Sequence, residues 1–222
     1  MKTYLYRISA LHLVLTLGFG ITLFLTLAAA DGGTMPGDTL VSREIQAVDA
    51  TGTGALVTFF NSTFDAPVLI AITAVLALIL GIVGRYAQMV LLAATILGQA
   101  TNTVLKLIIG RPRPEDGLVQ VTEQASGLSF PSGHTMGTVV FCGIIIYLSF
   151  QLIRHRQLRI LVQVLAVAQT FAVGFSRVYT GAHWPSDVLG GFLWGAWFVL
   201  LLIVCYRKFA PRFASRQPAS AC

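Results

Sequence analysis

Apolar residues run along this chain in six long blocks, at residues 8–30, 66–84, 87–105, 135–153, 158–175 and 188–206, separated by shorter polar stretches. Each block is near the ~20 residues that a helix needs to cross ~30 Å of hydrocarbon. The one Asp, Glu, Lys or Arg inside any of them is Arg159, second residue of the fifth. A core helix of a water-soluble domain is shorter and carries a polar stripe. The pattern predicts an all-α, polytopic membrane protein of six transmembrane helices, forming one membrane-embedded domain over residues 1–222. The first block has a basic start and ends in small residues, as a cleavable leader does. Its apolar part exceeds the roughly 7–15 residues of a leader's core, so it is expected to remain as the first helix.

The polar stretches differ in kind. Residues 31–65 form a long Gly-, Thr- and Asp-rich connection. Within it Leu40, Val41, Ile45 and Val48 are spaced to give a short amphipathic helix on the membrane surface. Residues 110–134 form a second long connection, and Pro112 and Pro114 stop any helix entering it. Residues 81–85 and the segment around Arg154–Arg156 read as tight turns, and residues 209–222 as a disordered polar tail. Gly133 with Gly137, and Gly191 with Gly195, set small residues at helical spacing, as close helix contacts in lipid require.

Charge then orients the array. With the N-terminus inside, the inner connections hold ten cations and no carboxylate. The outer ones hold Arg43, Lys106, Arg111, Arg113 and Arg177 with all nine carboxylates, and the chain's formal charge is +6. This is the positive-inside bias. It predicts a multi-pass cell-membrane protein with both termini cytoplasmic, and it accounts for the basic character without a nucleic-acid partner. Only 11% of residues are charged and 55% are hydrophobic, against roughly 25% charged in a soluble domain. The three cysteines, Cys142, Cys205 and Cys222, show neither a disulfide framework nor a metal-ligand spacing.

Three polar clusters stand at the outer ends of the predicted helices: Lys106 to Arg113, "PSGH" at 131–134, and "SRVYTGAHWPSD" at 176–187. Gathered at one depth they make an anion site. Lys106, Arg113 and Arg177 supply three cations, and the guanidinium forks match phosphate oxygens. Gly133 opens a helix with a backbone N–H that no Cβ shields, and Ser132 is placed to cap that helix or to donate to a phosphate oxygen. His183 and Asp187 lie four residues apart, with Pro185 keeping His183 ahead of the sixth helix. A carboxylate on one imidazole nitrogen leaves the other a free lone pair, so His183 is the candidate nucleophile on phosphorus. His134 is the candidate acid for the leaving alkoxide and then the base for water. This chemistry calls for no cofactor and no metal. Other polar residues receive plainer readings: Arg111 faces headgroups, Glu115, Asp116 and Glu123 solvate a loop, His12 and His155 are interfacial, and Tyr179 and Trp184 are interfacial aromatics.

These motifs resemble the signature of the phosphatidic acid phosphatase type 2 superfamily: Lys106 to Arg113-Pro114, then Pro131-Ser132-Gly133-His134, then Ser176-Arg177 to His183 to Asp187. The resemblance implies a compact integral-membrane lipid phosphatase with a metal-independent site at the outer membrane face. It makes His183 the nucleophile, Asp187 its orienting partner and His134 the acid and base. It makes Lys106, Arg113, Ser132, Gly133, Arg177 and Ser176 the phosphate shell. It implies a lipid monophosphate or diphosphate as substrate, in the class of phosphatidylglycerophosphate, phosphatidic acid or undecaprenyl diphosphate, with membrane lipids as surroundings and no obligatory protein partner. A phosphotransferase working through the same intermediate, or a silent membrane scaffold, are the alternatives.

Overall fold

The computed structural model describes residues 2–48, 53–63 and 65–214. They form nine α-helices: α1 (Lys2–Ala30), α2 (Asp38–Gln46), α3 (Thr53–Thr63), α4 (Ala66–Ile82), α5 (Tyr86–Ala93), α6 (Leu97–Ile109), α7 (Gly133–Leu152), α8 (Arg156–Tyr179) and α9 (Pro185–Ala214). A single 3₁₀ turn at Ala94–Ile96 joins α5 to α6, so the two make one span. Among the described residues, five spans are long and apolar enough to cross a membrane. The expected span at 66–84 is different. Its helix, α4, reaches the length of a crossing only together with α3, and the pair is bent by 57°. α3 is absent from the sequence reading, because its eleven residues sit inside a polar connection.

The most buried span is α7, and α8 and α9 pack along it. Glycines permit the approach of α9: a Cβ at Gly191 would stand 2.9 Å from the Ser132 carbonyl oxygen, and one at Gly195 would stand 2.8 Å from the Val139 Cβ. Without a hydrophobic force between helices in lipid, such close packing and interhelical hydrogen bonds hold the bundle. The Trp194 and Trp197 indoles donate to the hydroxyls of Thr26 and Thr22 at 3.1 and 3.0 Å, fastening α1 to α9. Phe24, Leu107, Ile108, Leu165, Phe171 and Val204 face outward, as a lipid-solvated surface requires.

Local signals place the functional ends. Gly110 adopts a left-handed φ of 70° and stops α6 ahead of Pro112 and Pro114. Asp65 caps α4, its Oδ1 accepting from the Ala66 N–H at 2.8 Å. α2 forms where the amphipathic pattern placed it. Leu40 and Val41 face outward, while Asp38 and Ser42 are buried against the bundle. α9 remains helical through Ala214, and the rest of the expected tail lies outside the described residues. At the opposite end of the bundle, Gln151 accepts from the Tyr206 hydroxyl and the Gln88 amide, tying α7 to α9 and α5.

Candidate active site

The three clusters converge at one end of the bundle. Lys106 closes α6, Arg111 and Arg113 follow it, Ser132–His134 open α7, Ser176 and Arg177 close α8, and His183 precedes Asp187 in the first turn of α9. The short α8–α9 link is tightly wound. Gly181 takes a φ of +69°, and a Cβ there would lie 2.1 Å from the Gln120 carbonyl oxygen. The His183 N–H then donates to the Arg177 carbonyl at 3.1 Å, and the imidazole is carried inward, 2% exposed.

His183 Nδ1 lies 3.5 Å from Asp187 Oδ2, at the long limit of a hydrogen bond. The Ser129 hydroxyl stands beside both: it donates to Asp187 Oδ2 and lies 3.4 Å from His183 Nδ1. Burial pushes the His183 pKa down to about 3, with Arg113 and Lys106 adding to the fall and the hydrogen bond and charge of Asp187 opposing it. The ring is therefore neutral near pH 7. With Nδ1–H turned to the carboxylate, Nε2 is an acceptor, and it faces Arg113 Nη1 at 3.1 Å. Burial, then the charge of Arg177, lowers the Arg113 pKa from its ordinary value, although a guanidinium stays protonated.

Asp187 is held from behind by a residue given a plainer reading above. Arg111 does not face headgroups. Its side chain is fully buried, with Nη1 on Asp187 Oδ1 at 2.6 Å and Nη2 on Asp38 Oδ2 at 2.7 Å. Ser186 closes the network, its N–H and hydroxyl donating to Asp38 Oδ1 and Oδ2 at 3.0 and 2.8 Å. α2 is thus locked to the first turn of α9 through one cation between two carboxylates, all out of water. Trp184 is likewise buried rather than interfacial, and its backbone N–H donates to Asp187 Oδ2 at 2.9 Å.

The cationic shell lies in front of His183. Lys106 Nζ donates to the carbonyls of Leu128 and of Ser129, the latter at 3.2 Å. Arg113 donates to the Ala182 and Gly127 carbonyls at 2.7 and 3.1 Å. Gly133 is required for clearance: a Cβ would stand 2.9 Å from Asn102 Oδ1 and 3.9 Å from the Lys106 Cε. Ser132 occupies the N-cap position of α7 but makes no side-chain cap bond. Its hydroxyl accepts from Thr135 at 3.0 Å.

His134 and Arg177 form a second group. His134 Nε2 meets Asp65 Oδ1 at 3.1 Å. Arg177 grips Glu123 with both terminal nitrogens, at 3.1 and 2.9 Å, while its buried Nε has no hydrogen-bond partner among the described residues. Glu123 is therefore not simply a loop-solvating charge. Asn61 of α3 donates to it at 2.8 Å and accepts from the Ser176 hydroxyl at 2.6 Å, so Asn61 and Glu123 join the Ser176 side chain to that of Arg177. Asp38, Asp65, Asn61, Arg111 and Ser129 were all missed from the sequence. Asp65 carried the one available signal, a capping residue ahead of Pro67. Among the described residues no three His, Cys, Asp or Glu side chains are grouped to hold a metal.

A neutral imidazole whose acceptor nitrogen lies against a guanidinium, with Lys106 close by, is equipped for nucleophilic attack on an anionic tetrahedral group once that guanidinium turns to the anion. A family model described as the PAP2 superfamily matches residues 87–211. The chain is 35% identical over 112 residues to a lipid A 1-phosphatase of Rhizobium etli, covering 47% of this chain and 44% of that protein. It is 30% identical over 149 residues to an undecaprenyl-diphosphatase of Sulfolobus acidocaldarius, covering 67% and 59%. The chain thus spans about half the length of these curated relatives. The crystal structure of a transmembrane PAP2-type phosphatidylglycerolphosphate phosphatase from Bacillus subtilis superposes with a TM-score of 0.71 at 25% identity, over 88% of this chain and 96% of that one.

Proposed function

Because the chain belongs to the PAP2 superfamily, we propose that it is a membrane lipid phosphatase that works through a phosphohistidine at His183. The observation that carries this reading is the 3.1 Å contact between Arg113 Nη1 and His183 Nε2: a guanidinium waits at the very nitrogen that would attack. On substrate binding Arg113 shifts its fork from Nε2 to a phosphoryl oxygen, which bares the lone pair and fixes phosphorus in front of it. Nε2 forms the N–P bond as the P–O bond to the lipid alkoxide breaks, and His134 gives that oxygen its proton. The phosphorylated imidazole is cationic at Nδ1–H, and Asp187, backed by Arg111, balances it. Water then attacks phosphorus opposite Nε2, His134 takes its proton, the N–P bond breaks and inorganic phosphate leaves. Lys106, Arg113, Arg177 Nε and the Gly133 N–H neutralise the equatorial oxygens, as a loose phosphoryl transition state demands. Ser132 and Ser176 complete the shell.

The Lys/Arg bias supports a site on the outer face of the cell membrane, with both termini cytoplasmic. The lipid tail stays in the bilayer while the headgroup enters at the interface. The test is phosphate release from a lipid phosphate by the purified protein in detergent with EDTA present. The expected result is activity that chelation leaves intact, that vanadate inhibits, and that His183→Ala lowers by 10³-fold or more on the order of other lost nucleophiles. Full activity in His183→Ala, or its loss on chelation, refutes the mechanism.

A further inference from the structure

A cavity of about 660 Å³ opens beside the site, and its walls are unlike the rest of it. His134 and Arg177 line it. Lys106, Arg113 and His183 are not among the residues that line it. The remainder of the wall comes from α3, the cap of α4, the segment around Glu123, and Tyr179 and Thr180 at the end of α8. Asp65 and Glu123 bring two carboxylates, and Asn61 and Ser62 bring neutral polar groups. Arg177 is the one cation on this wall among the described residues, and Glu123 already occupies both its terminal nitrogens. Its partnerless Nε is taken by an equatorial phosphoryl oxygen in the proposed mechanism, so this wall offers the departing group no free cation.

Position says what enters. An in-line displacement puts the leaving oxygen opposite His183 Nε2, on the side of the acid that protonates it. That acid is His134, so the cavity against His134 receives the part of the substrate that departs. We infer that this cavity is a leaving-group subsite that takes an uncharged, hydrogen-bonding alcohol, making the protein selective for lipid phosphomonoesters over lipid diphosphates. The inference rests on the reading under Proposed function. A monoester places a neutral glycerol- or sugar-type oxygen beside Asp65 and Glu123, which accept hydrogen bonds from hydroxyls. A diphosphate cleaved at its outer phosphorus places its inner phosphate there, with at least one negative charge facing Asp65 and a Glu123 whose charge Arg177 only balances. At ~6 Å and an effective dielectric of ~20, a single such repulsion lowers binding by about 100-fold. Water in the open cavity screens part of this, so the expected discrimination is on the order of 10- to 100-fold.

The experiment compares short-chain phosphatidic acid with the matching diacylglycerol diphosphate, by initial rates in mixed micelles and with phosphate and lipid products resolved. The wild type is expected to favour the monoester at least tenfold in kcat/KM. Glu123→Gln and Asp65→Asn, each removing one charge at constant shape, are expected to narrow that ratio several-fold whatever they do to overall rate. The ratio is internal to each variant, so a loss of active protein cancels from it. A wild type that favours the diphosphate, or a ratio unmoved in both variants, overturns the subsite assignment while the phosphatase reading stands. Phosphate release from neither substrate removes both.

Discussion

Replacing Arg111 by methionine tests whether the site is held from behind as well as from in front. The guanidinium is fully buried between Asp38 and Asp187, whose side chains are 3% and 0% exposed. It also donates to Ser186 Oγ at 2.7 Å and, through Nε and Nη2, to the Gly33 carbonyl at 3.2 and 3.0 Å. Methionine keeps much of the volume and removes the charge. Two carboxylates then remain out of water without their cation, and breaking such a pair costs about 3–5 kcal/mol. Adding Asp38→Asn removes one of the two stranded charges. The double variant is therefore expected to regain about 1–3 kcal/mol, the coupling typical of residues in one buried network. Lysine at 111 restores a charge but not a fork that reaches both carboxylates, and should fall between. Activity is affected by a separate route. With Arg111 gone, Asp187 loses a strong fixed partner, and a shift of ~1 Å in a positioned catalytic group costs on the order of 10²-fold in rate. Tryptophan-monitored denaturant unfolding in mild detergent reads the first effect, and kcat with KM reads the second. Arg111→Met within 1 kcal/mol of wild type (about fivefold in the folding constant), or no recovery on adding Asp38→Asn, would show that the cation is not what holds the two carboxylates in place.

Three further outcomes follow from the same geometry. His134→Gln, given a substrate with a good leaving group, should still be attacked by His183 but should hydrolyse the adduct slowly, so radiolabelled phosphate accumulates on the protein in an acid-labile, base-stable form; an unlabelled His134→Gln that still turns over would remove His134 from the second step. Since the folded His183 has a pKa of about 3 against an ordinary 6.5, the unfolded chain binds the extra proton between those values. Its contribution to stability is full above pH 6.5 and is lost as pH falls toward 3; the thermal midpoint should therefore drop more steeply from pH 7 to 4 in wild type than in His183→Gln, and equal slopes would contradict the burial argument. Gly181→Ala forces a Cβ into the Gln120 carbonyl at a left-handed φ; it should cost at least 1–2 kcal/mol and should lower kcat by displacing His183 two residues on, whereas a variant of wild-type stability would mean that the link bends freely.

How much of this was legible in the sequence depended on whether the information was local. The spans were readable because lipid imposes a length and a composition on each one, and Gly110, Pro112 and Pro185 mark their ends in the residues themselves. The dyad of His183 with Asp187 was readable because both partners lie within one turn of chain. Arg111 was not. Arg111 and Arg113 each precede a proline, so their local contexts are alike; only the fold sends one to Asp187 Oδ1 and the other to His183 Nε2. The second histidine shows the same limit more sharply. His134 draws its carboxylate from Asp65, at the cap of a different helix, across a connection that reads as a linker. Asp38 reaches Ser186 and Arg111 from that same connection. Residues 31–65 therefore furnish a carboxylate to each half of the site, and they lie outside the stretch that matches the family, 87–211. The groups proposed to face phosphorus, together with Arg111, Glu123 and Ser129, lie in the matched stretch, whereas Asp38, Asn61, Asp65 and half of the residues lining the neighbouring cavity come from before it. Differences in selectivity between this chain and its relatives should therefore track α2, α3 and the start of α4 more closely than the motifs themselves.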